Sequence, residues 1–511
     1  MAENQTDAMH EKRYSLVTAL CMIIGICIGS GIYFKADNVL IATGGSVALG
    51  VAMFCIASVV IVFGGLTLSV YAARSEAAGG LLSYADTYLP KPLARAFNWN
   101  FAILYLPVIS AVLSWVVGVY FCMVFGLDGA FGEGNAFAVQ MVFGLVFFLL
   151  CSLWNVFAPK LSGYFQNATT LVKMLPLVAV GVAGIACGAM GEAGTVAGEA
   201  VAGPASASGV GGLAWLAAAA PIAFSFDGWS MSTGIAPELR DSRRNLPRAL
   251  VVAPLVVLAL YLAYFVGLST VLGPQTVMSA GDGSLGLFFS SLFGPGAATL
   301  PNVIALVSVM GSVNGVVLSM LRMPFALAQR GDFPFAERVA RVSPRVGFPV
   351  WSAVAGVAMT LAWMAVHAVA TTGDLIPNGD ISEVSVAFNM VLLCALFVRV
   401  PALRRGQGVG AAGAGETGVA AAAAGSGSDA VAGEVDGAAA AAGSGSAAAA
   451  GSVDGAAGVD VFRGVVAPVL ATVGSLFVGG SALMSPGRWE FVAVYLVLLA
   501  ALFIWRRHSE R

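Results

Sequence analysis

The sequence is poor in charged residues, and this scarcity excludes a water-soluble globular protein. Only 10% of its 511 residues are Asp, Glu, Lys or Arg, whereas 59% are hydrophobic and the mean hydropathy is +0.88. A chain of this composition cannot cover a globular surface with polar groups. The sequence therefore predicts a polytopic membrane protein, which crosses a lipid bilayer several times.

Histidine, paired cysteine and excess positive charge are also scarce, and each absence excludes a class of function. The three histidines are far apart and lack companion ligands, so neither a metal site nor any other cofactor is expected. The seven cysteines show no paired spacing and are expected to be packing residues. A net charge of −2, without a stripe of aromatic and basic residues, gives no reason to expect nucleic acid as a partner.

Twelve apolar windows are long enough to cross a bilayer at about 1.5 Å per residue. They lie near residues 15–36, 45–71, 97–125, 137–157, 163–187, 213–236, 249–272, 299–328, 349–370, 383–402, 464–483 and 489–506. With a cytoplasmic N-terminus, 21 of the 25 Lys and Arg residues fall on the cytoplasmic side and only Lys35 and Arg488 fall outside. This bias predicts a multi-pass protein of the cell membrane with both termini in the cytoplasm.

The windows also divide the chain into segments. Residues 1–14 form a predicted cytoplasmic tail, 15–402 a ten-helix core, 464–506 two further spans and 507–511 a second cytoplasmic tail. Residues 406–459 are a low-complexity Ala/Gly/Ser tract without Lys or Arg. Because this tract has no apolar face to bury, we expect a mobile cytoplasmic linker, which either has no role in transport or regulates it.

The first window contains a Gly-Ser-Gly sequence at residues 29–31. Glycines weaken a helix, and irregular backbone at membrane depth is tolerated only where it lines a cavity or is buried in protein. The stretch therefore indicates a site at which the helix is broken. The alternative is that Gly29 and Gly31 only allow another helix to pack closely.

The sixth window contains a second unfavourable pair, Asp227 followed by Gly228. An aspartate at mid-membrane costs ~2.5–3.5 kcal/mol, so it should face the interior of the bundle and have a partner. We expect the helix to open here. Since the two breaks are five spans apart, their segments cross the membrane in opposite senses. This predicts an inverted repeat, residues 15–187 and 213–402, with a binding site where the two broken helices meet.

Several motifs in this order resemble those of one family of permeases. They are Gly29-Ser30-Gly31-Ile32, Ala78-Gly79-Gly80, Phe224 to Trp229 followed by Glu238, Gly311 to Gly315 and Ala328 to Pro334. Over about residues 15–402 the chain resembles the amino acid–polyamine–organocation superfamily, in its L-type and serine/threonine exchanger branch. The resemblance implies an all-helical integral membrane protein with twelve transmembrane helices, a five-plus-five inverted repeat and discontinuous helices 1 and 6, as in LeuT-like folds.

The sequence also departs from that family in three places. Ser242 stands where the family usually has proline, Asp227 stands where many L-type members have glycine, and the tract 406–459 is extra.

The resemblance also implies the residues that bind substrate. Amides and the hydroxyl at Ser30 and Gly31 would hold a carboxylate, and the carbonyls of Cys27, Phe224 and Asp227 would receive an ammonium group. The predicted binding residues are Cys27, Ile28, Gly29, Ser30, Gly31, Phe224, Ser225, Phe226, Asp227 and Gly228. The polarity of the two broken helices agrees with these assignments, because the start of a half-helix favours anions and its end favours cations.

Two aromatic residues beside the second break are gating candidates. Phe224 is the family's candidate for an aromatic lid over the substrate, with ordinary packing as its alternative. Trp229 is either a gating or contact residue or a packing residue.

Four charged residues in or near the spans have more than one interpretation. Asp227 could cap the second half-helix, pair with a substrate ammonium or guanidinium, or take up and release a proton. Lys173 could snorkel to the interface. It also resembles the family's fifth-helix lysine, at the place where sodium-coupled relatives of the fold bind their ion. Glu238 could pair with the arginines after span six in an inner gate or lie in a solvated loop. Arg322 is expected to snorkel, with a gating ion pair as its alternative.

These observations together predict a secondary amino acid transporter that works by alternating access. We expect a sodium-independent exchanger of neutral amino acids, because a positive charge at Lys173 disfavours a sodium ion there. The alternative is a proton-coupled amino acid symporter. An enzyme is not expected, since Asp227 and Lys173 are too sparse for an active site. A channel lacks support because no filter repeat is present, and a receptor would bind ligand without flux.

The expected partners are few. They are an amino acid substrate and the lipid bilayer, in a monomer or homodimer with no evident accessory subunit.

Overall fold

The computed structural model describes most of the chain outside a few loops and tails. The described residues are 14–29, 31–34, 36–76, 79–127, 132–190, 222, 225–373, 381–404, 460–483 and 489–509. All of their regular structure is helical, apart from isolated bridges such as Tyr14 with Leu239. The predicted binding residues Ser30 and Phe224, the predicted linker 406–459 and nearly all of the tail 1–14 lie outside the described residues.

The helices follow one another closely along the chain. In order they are α1 (Leu16–Cys27), α2 (Ala36–Ala42), α3 (Val47–Ala72), α4 (Leu81–Tyr88), α5 (Lys91–Phe125), α6 (Ala136–Phe157), α7 (Pro159–Met190), α8 (Ser242–Leu272), α9 (Pro274–Ala280), α10 (Ser284–Phe293), α11 (Pro295–Ala328), α12 (Ala336–Val339), α13 (Val350–Thr372), α14 (Val384–Leu403), α15 (Phe462–Gly480) and α16 (Trp489–Ser509). Serine caps begin two of them, since Ser15 accepts a hydrogen bond from the Thr18 amide and Ser46 accepts one from the Leu49 amide.

Nine helices in the described part of the chain are long and apolar enough to cross a membrane. They are α3, α5, α6, α7, α8, α11, α13, α14 and α15. The three other predicted windows have different outcomes. The first contains α1 and the 3₁₀ turn Gly31–Phe34 and ends where α2 begins. The sixth is described only in its second half, and the last corresponds to α16, whose apolar part Val492–Arg506 is shorter. The structure thus shows an all-helical membrane protein.

Helix α1 lies inside the bundle, in contact with α7, α8 and α11. A side chain at Gly25 would overlap the side chains of Thr170 and Gln166 on α7. The hydroxyl of Thr170 also donates to the carbonyl of Cys21 at 3.0 Å. Glycine at position 25 therefore allows α7 to approach the backbone of α1 closely.

Small residues also bring the long helices together elsewhere. Where α7 crosses α8, a methyl group on Gly184 would overlap the backbone of Gly267. Where α5 crosses α6, Gly118 and Gly144 face the backbone of the opposite helix in the same way. Helices in lipid associate through such close packing, since the surrounding lipid is as apolar as the helix surface.

Helix α5 contains a π-helical turn over Asn100–Tyr105. The extra residue in this turn shifts the side chains that follow it around the helix axis, and such turns are frequent at functional sites. Both Asn100 and Tyr105 are fully buried. The turn thus brings a tyrosine hydroxyl into the interior of the bundle.

A network of charged residues holds one end of the bundle together. Asp332, in the segment after α11, forms ion pairs with Arg95 of α5 at 3.2 Å and with Arg506 of α16 at 3.3 Å. Its carbonyl accepts a hydrogen bond from the indole of Trp99, and the ring of Trp99 lies 5.1 Å from that of Phe503. The last helix is therefore joined to α5 and to the end of α11.

Candidate functional site

The first predicted break is a real end of an α-helix. Helix α1 ends at Cys27, and the amide of Gly29 donates to the carbonyl of Cys27 at 2.9 Å instead of continuing the helical pattern. The chain then forms a 3₁₀ turn over Gly31–Phe34 before α2 begins. The last carbonyls of α1 are consequently left without partners inside their own helix.

The second interruption lies at Asp227–Gly228. Gly228 has a φ of +91°, in the left-handed region that suits glycine, and a 3₁₀ helix over Trp229–Glu238 follows it. Sequence reasoning expected a helix that opens at this pair. In the described part of the segment the helix that follows is of the 3₁₀ type, not an α-helix.

The two interruptions are in direct contact. A side chain at Gly228 would overlap Ile26 near the end of α1. The thiol of Cys27 lies 3.6 Å from the carbonyl oxygen of Phe226, to which it donates. Of the predicted binding residues, the structure therefore brings Cys27, Phe226 and Gly228 together.

Tyr261 of α8 links the two interrupted segments. Its buried hydroxyl lies 3.0 Å from the carbonyl oxygen of Cys27 and 2.7 Å from that of Ser225. Since a hydroxyl carries a single proton, it can fully satisfy only one of these two acceptors at a time. Its ring also packs on Phe226, with the centroids 4.8 Å apart.

Lys173 of α7 is fully buried beside the end of α1. Its ammonium donates to the carbonyl of Gly25 at 2.5 Å and to the hydroxyl of Ser312 at 3.1 Å. The neighbouring hydroxyl of Ser308 donates to the carbonyl of Ile28 at 3.2 Å. The snorkelling interpretation of Lys173 is therefore wrong, because the ammonium points into the protein and replaces hydrogen bonds that α1 lacks.

Two tyrosines hold the segment after the first interruption. The hydroxyl of Tyr33 donates to the carbonyl of Lys173 at 2.6 Å. The hydroxyl of Tyr264, on α8, donates to the carbonyl of Tyr33 at 2.9 Å. The turn over Gly31–Phe34 is thereby attached to α7 and to α8.

Asp227 accepts a hydrogen bond from the hydroxyl of Tyr105 on α5, at 2.6 Å. Gly228 occupies the N-cap of the following 3₁₀ helix, and the Gly228 amide lies close to the Asp227 carboxylate, so the interpretation in which Asp227 caps this helix stays a prediction. The other oxygen of the carboxylate, Oδ1, is buried and has no hydrogen-bond partner of good geometry among the residues that the structure describes.

Glu238 and Arg322 form an ion pair at the end of the second interrupted segment. The Nε of Arg322 lies 2.9 Å from Oε1 of Glu238, and the guanidinium also lies 5.2 Å from the centre of the Phe348 ring. Two expectations are thereby corrected. Arg322 does not snorkel, and the partner of Glu238 comes from α11 rather than from the arginines that follow span six. Both groups are mostly shielded from water, so removal of either would leave the other as an uncompensated charge.

A cavity opens beside this ion pair. Its lining includes Glu238 and Arg322 together with Gly79, Pro237, Val346 and Phe348. Trp229, a predicted gating residue, lies elsewhere in the core, fully buried against Gly64 of α3. Its gating role stays a prediction.

Sequence reasoning missed the tyrosines of the site. Tyr33, Tyr105, Tyr261 and Tyr264 all place their hydroxyls on carbonyl or carboxylate oxygens around the interruptions. A signal was available, because a tyrosine inside an apolar span needs a partner for its hydroxyl. The sequence, however, does not indicate which partner that is.

Comparison with known proteins agrees with this arrangement. The family model described as amino acid permease matches residues 14–511. The chain belongs to the amino acid permease family. This confirms the resemblance to the amino acid–polyamine–organocation superfamily, and the permease is an amino acid transporter rather than an enzyme.

Three relatives illustrate the range of the family. The permease is 28% identical to the serine/threonine exchanger SteT of Bacillus subtilis over 77% of its own chain and 84% of the relative. It is 24% identical to the b(0,+)-type amino acid transporter 1 of Mus musculus over 63% of each chain. It is 27% identical to a vacuolar cationic amino acid transporter 4 of Arabidopsis thaliana over 77% of its own chain and 65% of the relative. The alignments with the mouse and plant proteins thus cover somewhat less than two thirds of their lengths.

Proposed function

We propose that the permease is a sodium-independent exchanger of neutral amino acids that works by alternating access. The observation that carries this proposal is the contact between the two interrupted segments, at Cys27 with Phe226 and at Ile26 with Gly228. Interrupted helices at membrane depth expose amides and carbonyls of opposite polarity, which suits a zwitterionic amino acid.

In this proposal the substrate lies between the interruptions. Its carboxylate binds at the backbone of Ser30 and Gly31, and its ammonium binds the carbonyls of Cys27 and Asp227, with Phe224 covering it. The Cys27 carbonyl already receives the hydroxyl of Tyr261. An ammonium has three protons, so it can satisfy several carbonyls that one hydroxyl cannot satisfy together. Substrate binding would therefore replace the single bridge made by Tyr261.

The position of Lys173 supports sodium independence. Its ammonium occupies the space beside the carbonyl of Gly25 and the hydroxyl of Ser312, two oxygen atoms that could otherwise coordinate a cation. A second positive charge at this point would be strongly repelled, since the surroundings are buried and poorly screened. Replacing sodium by choline is therefore expected to leave uptake unchanged.

Alternating access in this proposal uses a five-plus-five inverted repeat, residues 15–187 and 213–402. In this proposal the ion pair between Glu238 and Arg322 holds the cytoplasmic side closed. Opening that side would separate the second interrupted segment from α11, and substrate would shift the balance between states by binding one of them more tightly.

The relatives support exchange more directly than they support any one substrate. One is named as a serine/threonine exchanger, whereas the plant relative is named as a transporter of cationic amino acids. We therefore assign exchange to the permease and place small neutral amino acids first among its substrates.

We also propose that it resides in the cell membrane with cytoplasmic termini, as a monomer or homodimer without an accessory subunit.

The decisive experiment is uptake of labelled amino acids into liposomes that contain the purified permease, at fixed pH and without sodium. Half of the vesicles are preloaded with unlabelled amino acid. Uptake confined to preloaded vesicles would support exchange. Equal uptake into empty vesicles, increased by an inward proton gradient, would contradict exchange and favour proton-coupled symport. A requirement for sodium would contradict the role given to Lys173.

A further inference from the structure

We infer that Tyr105 is a specificity-determining residue, which holds the Asp227 carboxylate so that it recognises a substrate hydroxyl and disfavours a guanidinium. This inference rests on the proposed function, since it assumes that amino acids bind between the two interruptions. It starts from the hydrogen bond between the Tyr105 hydroxyl and Oδ2 of Asp227, which is 2.6 Å long.

Tyr105 is placed rigidly. It is fully buried, it ends the π-helical turn of α5, and its ring lies 5.4 Å from that of Phe101 in the same turn. A short hydrogen bond from a neutral donor to a carboxylate is stronger than one between two neutral groups. The bond therefore fixes the orientation of the carboxylate and occupies one of its two oxygens.

The remaining oxygen, Oδ1, is positioned to receive substrate. It is buried and has no hydrogen-bond partner of good geometry among the residues that the structure describes, although the Gly228 amide lies near the carboxylate and the Asp227 residue as a whole is only half-buried. A buried acceptor without a donor is unfavourable, so a donor that reaches it gains binding energy. Asp227 also directly precedes Gly228, which contacts α1, so this oxygen lies at the proposed substrate site.

The chemistry of the donor follows from the number of available oxygens. One oxygen accepts well from a single hydroxyl, such as that of serine or threonine. A guanidinium binds a carboxylate best through two parallel N–H···O bonds, which require both oxygens. By occupying Oδ2, Tyr105 prevents this two-point contact. The pair as a whole should therefore prefer hydroxyl-bearing side chains to arginine.

The test compares exchange of L-serine, L-threonine, L-alanine and L-arginine by the wild type and by Tyr105→Phe. Removal of the hydroxyl frees Oδ2, so the ratio of arginine to serine exchange is expected to rise about tenfold, the effect of one hydrogen bond to a charged group. The matched control is Tyr71→Phe. Tyr71 is also buried and donates a 2.6 Å hydrogen bond, but to the carbonyl of Leu396 between α3 and α14. Its variant should leave the ratio unchanged.

A second variant tests the carboxylate itself. Adding Asp227→Asn to Tyr105→Phe should abolish the gain in arginine exchange, because the charge that attracts the guanidinium is gone. Asp227→Asn alone should reduce the preference for serine over alanine. An unchanged ratio in Tyr105→Phe, or an unchanged serine preference in Asp227→Asn, would overturn the inference. If Tyr105→Phe does not fold, the serine preference of Asp227→Asn alone decides whether the inference holds.

Binding is measured alongside flux to separate this inference from the proposed function. The increase in melting temperature caused by each amino acid reports binding without transport. Wild-type protein that binds serine but does not exchange it would contradict the proposed function, and the inference would then be judged on the binding ratios. Wild-type protein that neither binds nor exchanges any of the four amino acids would overturn both.

Discussion

Three carbonyl oxygens at and just after the end of α1 have a donor from another helix. Lys173 donates to Gly25, Tyr261 to Cys27, and Ser308 to Ile28. A helix end buried in a membrane needs such partners, because neither water nor lipid supplies them at this depth. The interruption is therefore maintained by side chains of α7, α8 and α11, and glycine alone does not account for it.

Removal of one of these donors should have a large effect. In Lys173→Met the Gly25 carbonyl keeps only the Ser312 hydroxyl as a donor, at 3.1 Å, and the loss of a hydrogen bond to a charged group costs about 1.5–3 kcal/mol. We expect a lower melting temperature and at least a tenfold loss of exchange, both measured on purified protein.

The control for this variant is Lys160→Met, at the exposed start of the same helix. It removes the same charge without touching α1, and it should change neither quantity appreciably. Equal losses in the two variants would show that the charge of α7 matters and that its position does not.

For single residues, part of the site could be predicted from the sequence. Gly29, Gly31 and Asp227 violate the apolar pattern of their spans, so their chemistry is visible in the sequence. The partners are not visible, because they lie far away along the chain. Tyr105 is 122 residues from Asp227, and Tyr261 is 234 residues from Cys27. No local pattern encodes contacts of that separation.

The contacts between long helices depend on small residues at particular turns. On α7, Gly184 lies against the backbone of Gly267, whereas Gly188, one turn later, has only an ordinary contact at 3.8 Å with Thr270. The two glycines lie on the same helix but have different amounts of space around them. They therefore allow packing to be tested without a change in chemistry.

Gly184→Ala should destabilise the permease, because the added methyl group would force α7 and α8 apart. Overpacking of this kind costs about 1–3 kcal/mol, which should lower the melting temperature by several degrees. Gly188→Ala should leave it unchanged or raise it slightly, since alanine favours helix. If both variants have the same melting temperature, the crossing does not limit stability.

The elements themselves were predicted unevenly from the sequence. Long apolar helices such as α3, α6 and α13 agree closely with their windows, since a span needs a continuous apolar run. Helix α5 begins at Lys91 instead of residue 97, because its first turns carry charged residues that lower the hydropathy. The short helices α4, α9 and α10 were not predicted, as they are too short to give a membrane signal.

The ion pair between Glu238 and Arg322 joins segments that are far apart in sequence and should control which side of the molecule is open. Both side chains are mostly shielded, with exposed fractions of 14% and 15%. Loss of one partner leaves the other charge uncompensated, and such a change shifts an equilibrium between two states.

We therefore expect Glu238→Gln to favour the state that is open to the cytoplasm. In proteoliposomes of known orientation, the apparent KM should fall on the cytoplasmic side and rise on the opposite side. Exchanging the two charges, in Glu238→Arg with Arg322→Glu, should restore much of the original asymmetry. The control is Glu337→Gln on α12, an exposed residue. A uniform change of KM on both sides would contradict the gating role.

At the scale of the whole molecule, composition alone is enough to predict the class of protein. The inverted repeat and the orientation in the membrane stay predictions, because they depend on how segments with no sequence similarity are related in space. The ion pair between Glu238 and Arg322 needed the structure, since the two residues are 84 residues apart.

The attachment of α16 to Asp332 has a practical consequence for observing the transport cycle. Arg506 and Phe503 join the last helix to α5 and to the end of α11, so this helix should travel with them as one rigid unit. A fluorophore fixed near Ser509 would then follow that unit, although α16 lies outside the proposed repeats. Paired with a second dye on α1, it would report the distance between the scaffold and the moving half-helix during each turnover.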